Sequence, residues 1–227
     1  MKNIFLLGVF VFCLFIVNVS NAQNARVYGR VFMPVEKKSS RTFRGRIYRN
    51  RLAQQKLKKE EENDHSVFED IVIAAYPLSF DTVATPLNKA YVLQKNATFI
   101  PNVLPVTPGT QVKFVNLDKF YHNVFSITPG AKFNIGRRPT GTVVSENINK
   151  LGAVKLFCDI HSQMNATILT VNTPFFTQAN RNGKYELNNL PAGKYRIEVI
   201  HPDFDTQSSV VTLKRNDQTE QSFTLTN

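Results

Sequence analysis

From Asp70 to its C-terminus, the sequence predicts an all-β protein. Short runs that are apolar, or that alternate apolar and polar residues, are separated by the turn-forming residues Gly, Pro and Asn. No convincing long amphipathic helix interrupts them. The main predicted strands are 71–76, 112–115, 124–127, 153–157, 166–171, 184–187, 195–200, 209–213 and 221–225. Short strands at this spacing are typical of a β-sandwich or a Greek-key barrel.

The first 22 residues are typical of an export signal. Lys2 is followed by an apolar run over 4–17 and by small residues that end at Ala22. The run is too short to span a bilayer comfortably, so we expect a signal peptide, 1–22, and a periplasmic or secreted protein. Cleavage would leave Cys158 as the only cysteine. In an oxidising compartment a lone cysteine is a liability unless it is buried, paired with another chain or bound to a metal.

The chain is strongly basic, with 28 Lys and Arg against 17 Asp and Glu. Outside the cytoplasm this charge favours anionic lipid, an acidic glycan or an acidic protein as partner, and we expect no nucleic acid. Many of the basic residues fall in a charged segment at about 36–64, whose second half, 51–62, lacks Gly and Pro and could form a helix. We interpret it as a solvated insertion. Contact with an anionic surface is the alternative.

The last part of the chain, 173–227, is predicted to form a second, smaller β-unit. Asn182-Gly183 is a strong hairpin signal, because both residues tolerate the positive φ of a type I′ turn. The unit is short for a sandwich that stands alone. The alternating segment 26–33 is a candidate strand to complete it, in which case the first domain, 23–172, would interrupt the second.

A set of metal-ligating residues stands out in the segment 157–164. Cys158, His161 and Met164 form a C-x-x-H-x-x-M pattern in a loop between two predicted strands. A thiolate, nitrogen donors and a weak axial thioether are a ligand set that suits copper. His122 is the obvious further nitrogen donor, because it follows a predicted strand and a turn and can lie at the same end of the sandwich.

Each of these residues alone has an ordinary structural explanation. A lone cysteine at a strand end is usually a small core residue, and a methionine there is usually packing. A histidine flanked by Tyr and Val is more often buried and hydrogen-bonded than a ligand. The combination in one all-β chain favours the metal site. We interpret the other two histidines of the mature chain, His65 and His201, as structural.

The central part of the chain, roughly 92–171, resembles the cupredoxins, the blue-copper family of plastocyanin and amicyanin. The residues that carry the resemblance are 99–101, 108–110, 115–118, 122–125, Gly152 and 158–164. The short C-x-x-H-x-x-M loop is most similar to amicyanin and to methylamine-utilisation-like proteins. The resemblance implies a Greek-key cupredoxin sandwich with one type 1 copper site. His122, Cys158 and His161 would be its equatorial ligands and Met164 its axial ligand. Asn123 would tie the two ligand loops together.

The tail resembles the carboxypeptidase regulatory-like, or transthyretin-like, β-domains. The segments that carry this resemblance are 180–187 and 190–199. It implies a small β-sandwich and no catalysis.

Together these resemblances imply an exported carrier of single electrons. In the cupredoxin family, the histidine of the cysteine loop is the ligand whose edge nears the surface, so His161, bordered by Ile160, would be the electron port. A basic protein would select an acidic redox partner. An enzyme is not expected, because further histidine-rich copper sites would be needed. The alternatives are a non-redox adhesion or scaffold module and a periplasmic copper storage or delivery protein.

Overall fold

The computed structural model describes residues 24–34 and 65–226, and the regular secondary structure of these residues is almost entirely β-strand. One short 3-10 helix, Val67–Asp70, precedes the second strand. The strands are β1 (Ala25–Phe32), β2 (Val72–Pro77), β3 (Tyr91–Lys95), β4 (Thr98–Ile100), β5 (Val103–Val106), β6 (Thr110–Asn116), β7 (Phe125–Ser126), β8 (Phe133–Asn134), β9 (Val143–Ile148), β10 (Gly152–Phe157), β11 (Asn165–Thr170), β12 (Phe176–Gln178), β13 (Lys184–Leu190), β14 (Gly193–His201), β15 (Phe204–Leu213), β16 (Gln218–Glu220) and β17 (Phe223–Thr224).

The all-β prediction is confirmed. The expected signal peptide, 1–22, and the charged insertion, 36–64, lie outside the described residues. Within the described residues, no helix has the length and apolar character needed to span a membrane.

A first sandwich is built from β3 to β11. One sheet has the order β5-β11-β10-β7-β8 and the other β4-β3-β6-β9. Strand β6 shows why the sequence folds this way, because its alternating residues Thr110, Val112, Phe114 and Asn116 are buried while those between them are less so. The last inward position of β6 is polar, and it lies where the candidate ligand loops begin.

A C-terminal sandwich combines β1 and β2 with β12 to β17. Its sheets have the orders β13-β1-β16, with β17 also paired to β1, and β12-β2-β14-β15. Strand β1 runs antiparallel to β13 and parallel to β16 and β17. The N-terminal strand therefore lies inside the sheet formed by the end of the chain. The core between the two sheets includes the fully buried side chains of Val27, Leu190, Tyr195, Ile197 and Leu225.

The hairpin expected at Asn182-Gly183 is wrong. A turn forms there, with Gly183 at φ 75°, but β12 pairs with β2 while β13 pairs with β1, so the two strands lie in different sheets. A Cβ on Gly183 would lie 2.6 Å from the carbonyl oxygen of Val31. Gly183 thus allows the chain to pass close to β1 as well as to turn. The preference of Asn-Gly for turns does not distinguish a hairpin from a connection between two sheets.

Strand β2 also lies elsewhere than expected, because the sequence interpretation placed residues 71–76 in the first domain. It pairs with β12 and β14 of the C-terminal sandwich. Val72 and Ala74 pack on Val103 and Leu169 of the first sandwich, while Ile73 points into the C-terminal core. An apolar strand buried on both faces has no alternation to show which sheet it joins. Its two buried faces join the sandwiches into a four-layer stack.

Candidate metal centre

The first candidate ligand, His122, lies between β6 and β7 and is fixed by its backbone. Its N–H donates to the carbonyl oxygen of Arg138 at 3.2 Å, and the Arg138 N–H donates back at 2.7 Å. Phe125 of β7 pairs with Phe157 of β10, the residue before Cys158. This strand pairing brings two segments that are 36 positions apart in sequence side by side.

The other three candidate ligands share the loop from β10 to β11, which closes on itself. The Cys158 N–H donates to the carbonyl oxygen of Met164 at 3.3 Å, and the Met164 N–H donates to that of His161 at 2.9 Å. These two bonds hold the loop in a compact turn, so the chain itself limits where the thiol and the imidazole of this loop can lie.

The donor atoms converge on one point. The sulfur of Cys158 lies 4.0 Å from Nδ1 of His122 and 4.0 Å from Nδ1 of His161. One ligand atom from each residue lies within 4.8 Å of the other two. Zinc sites, as a guide, have metal–sulfur bonds of about 2.3 Å and metal–nitrogen bonds of about 2.0–2.1 Å, so a sulfur and a nitrogen on one ion can be up to about 4.4 Å apart. The two sulfur–nitrogen distances therefore fit a single metal ion, and the donor set is one that copper prefers.

The centre lies at the edge of the apolar core. His122 is fully buried, Cys158 is 6% exposed and Met164 is 1% exposed. Cys158 and Met164 belong to the same core cluster of the first sandwich. Among the described residues, no other group of three or more His, Cys, Asp or Glu side chains is placed to hold a metal ion. The structure thus brings the four predicted residues to one end of the sandwich. Their role as ligands, including the axial thioether, stays a prediction.

A buried carboxylate that the sequence analysis did not single out lies behind His122. Oδ2 of Asp118 is 2.7 Å from Nε2 of His122, on the opposite side of the ring from Nδ1. In the sequence, Asp118 belongs only to the segment 115–118 that carries the cupredoxin resemblance. Its position four residues before the histidine was the available signal, but such spacing outside a helix does not establish a contact.

The carboxylate of Asp118 is held by the turn between β3 and β4. Oδ1 accepts the N–H of Asn96 at 2.7 Å, and Oδ2 accepts the N–H of Ala97 at 2.9 Å. Burial acts to raise the pKa of Asp118. The N–H groups of Ala97 and Asn96 and the ring of His122 outweigh that effect and hold the pKa below its usual value. The group is therefore an anion that faces the imidazole.

His161 is partly exposed, and exposed aromatic and apolar side chains lie in the two segments that carry the candidate ligands. The ring of Phe120 lies 4.9 Å from that of His122 and 5.5 Å from that of His161. Phe120 is 46% exposed, Tyr121 58% and Ile160 42%. We call Phe120, Tyr121 and Ile160 the apolar rim. The predicted port residues His161 and Ile160 therefore lie at the surface, whereas the other imidazole is enclosed.

Basic groups lie beside the apolar rim. Nε of Arg137 is 3.2 Å from Oδ2 of Asp159 in the cysteine loop, and both residues are exposed. Arg138 and Lys119 are exposed in the segments on either side of His122. The segments around the candidate ligands thus carry three exposed basic residues and one exposed acidic residue.

Asn123 does not make the bond that the cupredoxin resemblance implies. It is 3% exposed, and its Oδ1 is buried without a hydrogen-bond partner in the described part of the chain. The contact observed behind the ligand loops is that of Asp118 with His122. A family motif gives the identity of a residue but not its side-chain conformation. Whether Asn123 makes this hydrogen bond is therefore not visible in the sequence.

The remaining histidines of the described chain lie in other contacts. Nε2 of His65 is 3.0 Å from Oδ1 of Asp70, and Nδ1 of His201 accepts the N–H of Asp203 at 3.1 Å. Hydrogen bonding to Asp70 raises the pKa of His65, whereas burial lowers that of His201. Neither residue belongs to the candidate metal cluster.

The family model of the carboxypeptidase regulatory-like domain matches residues 161–226. The match contains every strand from β12 to β17, and it begins in the cysteine loop, upstream of the C-terminal sandwich. It does not include β1 and β2, which complete that sandwich from the other side of the first one. No protein of curated function matches the chain.

Several solved structures similar to this chain are cupredoxins. A purple cupredoxin from Nitrosopumilus maritimus is 22% identical with a TM-score of 0.33, over 37% of this chain and 100% of that one. Amicyanin from Paracoccus versutus is 18% identical with a TM-score of 0.34, over 43% of this chain and 98% of that one. A copper-containing nitrite reductase from Thermus scotoductus is 24% identical with a TM-score of 0.36, over 43% of this chain and 25% of that one. Both families named from the sequence therefore recur among the matches.

Proposed function

We propose that this protein is an exported type 1 copper protein that carries single electrons between redox partners. The observation that carries the proposal is the convergence of two imidazole Nδ1 atoms on the sulfur of Cys158, each at 4.0 Å. Copper bound there would supply the one-electron redox change. Export to the periplasm or the outside is part of the proposal, and its support is the leader pattern of the first 22 residues.

The chain's own contribution is a fixed ligand frame. His122 is buried and held through backbone and side-chain bonds, and the cysteine loop closes through the two backbone bonds at Met164. A frame that is in place without the metal needs little rearrangement when the charge at the site changes. Such rigidity favours rapid electron transfer over slow binding and release of copper, which storage or delivery would need.

The exit route proposed for the electron is His161, bordered by Ile160. The ring of His161 lies beside Phe120 at the exposed apolar rim, whereas the ring of His122 is enclosed. Apolar surface can be desolvated when a partner docks there. The cations Lys119, Arg137 and Arg138 nearby favour an acidic partner protein. Contact of the basic insertion, 36–64, with an anionic surface is a separate part of the proposal.

We propose a carrier rather than an enzyme. A copper enzyme of this fold would need a second cluster of histidines, and the other two described histidines, His65 and His201, are engaged with Asp70 and Asp203 in separate places. Neither histidine therefore lies beside the cysteine loop, where it could form a second copper site.

The test is copper(II) addition to the purified mature protein, followed by its visible spectrum. We expect an intense thiolate-to-copper band that reaches a plateau at one copper per chain. Cys158→Ser should abolish the band, and Ser162→Ala, an exposed change in the same loop, should retain it. A colourless wild-type protein would contradict the proposal and favour a scaffold module. A band that cannot be bleached and restored reversibly by a reductant and an oxidant would favour storage or delivery.

Docking has its own test, in which the rate of electron transfer to an acidic redox protein is measured against salt concentration. We expect the rate to fall as salt rises, since the Debye length shortens from about 10 Å at 0.1 M to about 3 Å at 1 M. A rate that does not depend on ionic strength would show that the basic residues do not contribute to docking.

A further inference from the structure

We propose that Asp118 is the positioning residue of the candidate copper site: its carboxylate fixes the proton of His122 on Nε2 and so directs the lone pair of Nδ1 at the metal position. This inference rests on the proposed function, but its first part, the position of the proton on His122, concerns the metal-free protein. The 2.7 Å contact between Oδ2 of Asp118 and Nε2 of His122 carries it.

The direction of that hydrogen bond follows from the chemistry of the two groups. Both carboxyl oxygens of Asp118 accept backbone N–H groups, as those of an ionised carboxylate do, so Nε2 of His122 must be the nitrogen that donates. A neutral imidazole carries one proton, and Nδ1 is then left with a lone pair. That nitrogen is the one that lies 4.0 Å from the sulfur of Cys158. The carboxylate therefore selects the tautomer that the metal site requires.

The carboxylate is itself fixed from several sides. Its two oxygens accept the N–H groups of Asn96 and Ala97, at 2.7 and 2.9 Å. Both residues have left-handed backbone, with φ of 55° and 53°. This conformation is unfavourable for a residue other than glycine. The turn thus adopts an unfavourable backbone in which two adjacent N–H groups face one buried anion.

The backbone of Asp118 is anchored as well. Its N–H donates to Oδ1 of Asn116 at 3.0 Å, and its carbonyl oxygen accepts a short bond from the hydroxyl of Thr140. Nδ2 of Asn116 donates to the carbonyl oxygens of Phe120 and Arg138. The residues on either side of His122 are thus tied to the same loop, and the carboxylate has little freedom to turn away from the ring.

A charge so close to the ligand also has an electronic consequence. The hydrogen bond makes Nδ1 a stronger donor, and the anion stabilises the more positive oxidation state of a metal on that nitrogen. We therefore expect Asp118 to strengthen copper(II) binding more than copper(I) binding, which lowers the reduction potential. A selective tenfold change in copper(II) affinity corresponds to about 59 mV for one electron.

The key variant is Asp118→Asn, which removes the charge at nearly constant shape. We expect a 10–100-fold loss of copper(II) affinity, the range found when residues behind metal ligands are changed. The reduction potential should rise and the thiolate-to-copper band should shift. The matched control is Asp81→Asn, which removes an exposed carboxylate between β2 and β3, outside both ligand loops. It should leave the affinity within about twofold.

The second measurement uses the wild-type protein without copper. Long-range ¹H–¹⁵N NMR of the imidazoles should show His122 protonated at Nε2 and unprotonated at Nδ1, whereas Asp118→Asn should show a mixture. A proton on Nδ1 in the wild-type protein would overturn the inference, even if the variant fails to fold. Equal copper affinity and potential in both aspartate variants would overturn it too. A wild-type protein with the expected tautomer that binds no copper would instead refute the proposed function.

Discussion

The loop end of the first sandwich and the core of the C-terminal sandwich bury different kinds of side chain, and the difference separates stability from the candidate function. The loop end of the first sandwich buries Asn116, Asp118 and His122, each held by specific hydrogen bonds. The C-terminal sandwich buries an apolar core whose polar atoms include the hydroxyls of Tyr185 and Tyr195, both bonded to backbone carbonyls. Buried polar groups stabilise little in net terms and cost much when left unpaired. The buried polar groups beside Cys158 therefore indicate that this loop geometry serves the candidate metal site. The apolar C-terminal core indicates a role in stability.

The largest expected effect is on stability, from a change in the C-terminal core. Ile197→Ala in β14 removes a fully buried side chain and should lower the free energy of unfolding by about 2–5 kcal/mol. The thiolate-to-copper band per folded molecule should stay the same. Denaturant unfolding measures the first quantity and the visible spectrum the second. Val210→Ala on β15, where the side chain is 53% exposed, is the control and should change stability by less than about 0.5 kcal/mol. A changed copper band in the folded Ile197 variant would show that the C-terminal core affects the copper site as well as stability.

The next effect concerns the close approach between β1 and the turn before β13. Gly183→Ala adds a Cβ 2.6 Å from the carbonyl oxygen of Val31 on a backbone with φ 75°, so it should cost about 2–4 kcal/mol. Gly136→Ala is the matched control, because φ is 71° there and a Cβ would have no neighbour within 4 Å. Thermal and denaturant unfolding of the two variants should separate the steric contribution from that of the backbone. Equal losses would show that β1 does not depend on this contact.

A smaller loss of stability, but a loss of copper binding, is expected at the loop end of the first sandwich. Asn116→Ala removes the side chain that accepts from Asp118 and donates to Phe120 and Arg138. We expect a loss of about 1–3 kcal/mol, because buried groups are left unpaired, together with weaker copper binding. Unfolding curves and copper titration measure the two effects. Asn147→Ala, an exposed asparagine on β9, should change neither. Unchanged copper affinity in the Asn116 variant would contradict the idea that this residue maintains the ligand loops.

The smallest expected effect is a pH dependence where the 3-10 helix packs on the C-terminal sandwich. Hydrogen bonding to Asp70 raises the pKa of His65 above its ordinary value of 6.5, so its contribution to stability is fully present below pH 6.5 and is lost as pH rises through the folded value. Since His65 is partly exposed, we expect less than about 1 kcal/mol. The lowered pKa of His201 acts in the opposite sense, because protonation of that residue favours the unfolded chain. The difference between wild type and His65→Gln across pH 5–8 isolates the first residue. A difference that does not vary with pH would contradict the assignment.

Local patterns predicted much of the fold and of the candidate site. Strand alternation predicted the burial along β6, and the spacing of Cys158, His161 and Met164 predicted one compact loop, because both signals arise from neighbours in the chain. The position of His122 followed from the order of strand and turn. Its meeting with the sulfur of Cys158 required only that both loops lie at the same end of a sandwich.

The features that the sequence did not predict depend on long-range contacts. Strand β2 is apolar on both faces, so its membership in the C-terminal sandwich follows from pairing rather than from pattern. The contact of Asp118 with His122 depends on a turn that is more than 20 residues away, whose residues Asn96 and Ala97 carry the N–H groups that hold the carboxylate. Asn123 was assigned a bond by resemblance, and its Oδ1 makes none in the part of the chain described. Neither a period nor a motif encodes such contacts.

The central claim is that Cys158, His122 and His161 bind a single copper ion together. X-ray absorption at the copper edge of the loaded mature protein tests it most directly, because it reports the atoms bonded to the metal. We predict one sulfur at short distance and two imidazole nitrogens, with the sulfur lost in Cys158→Ser. A first shell of oxygen and nitrogen alone in the wild-type protein, unchanged in that variant, would contradict the claim.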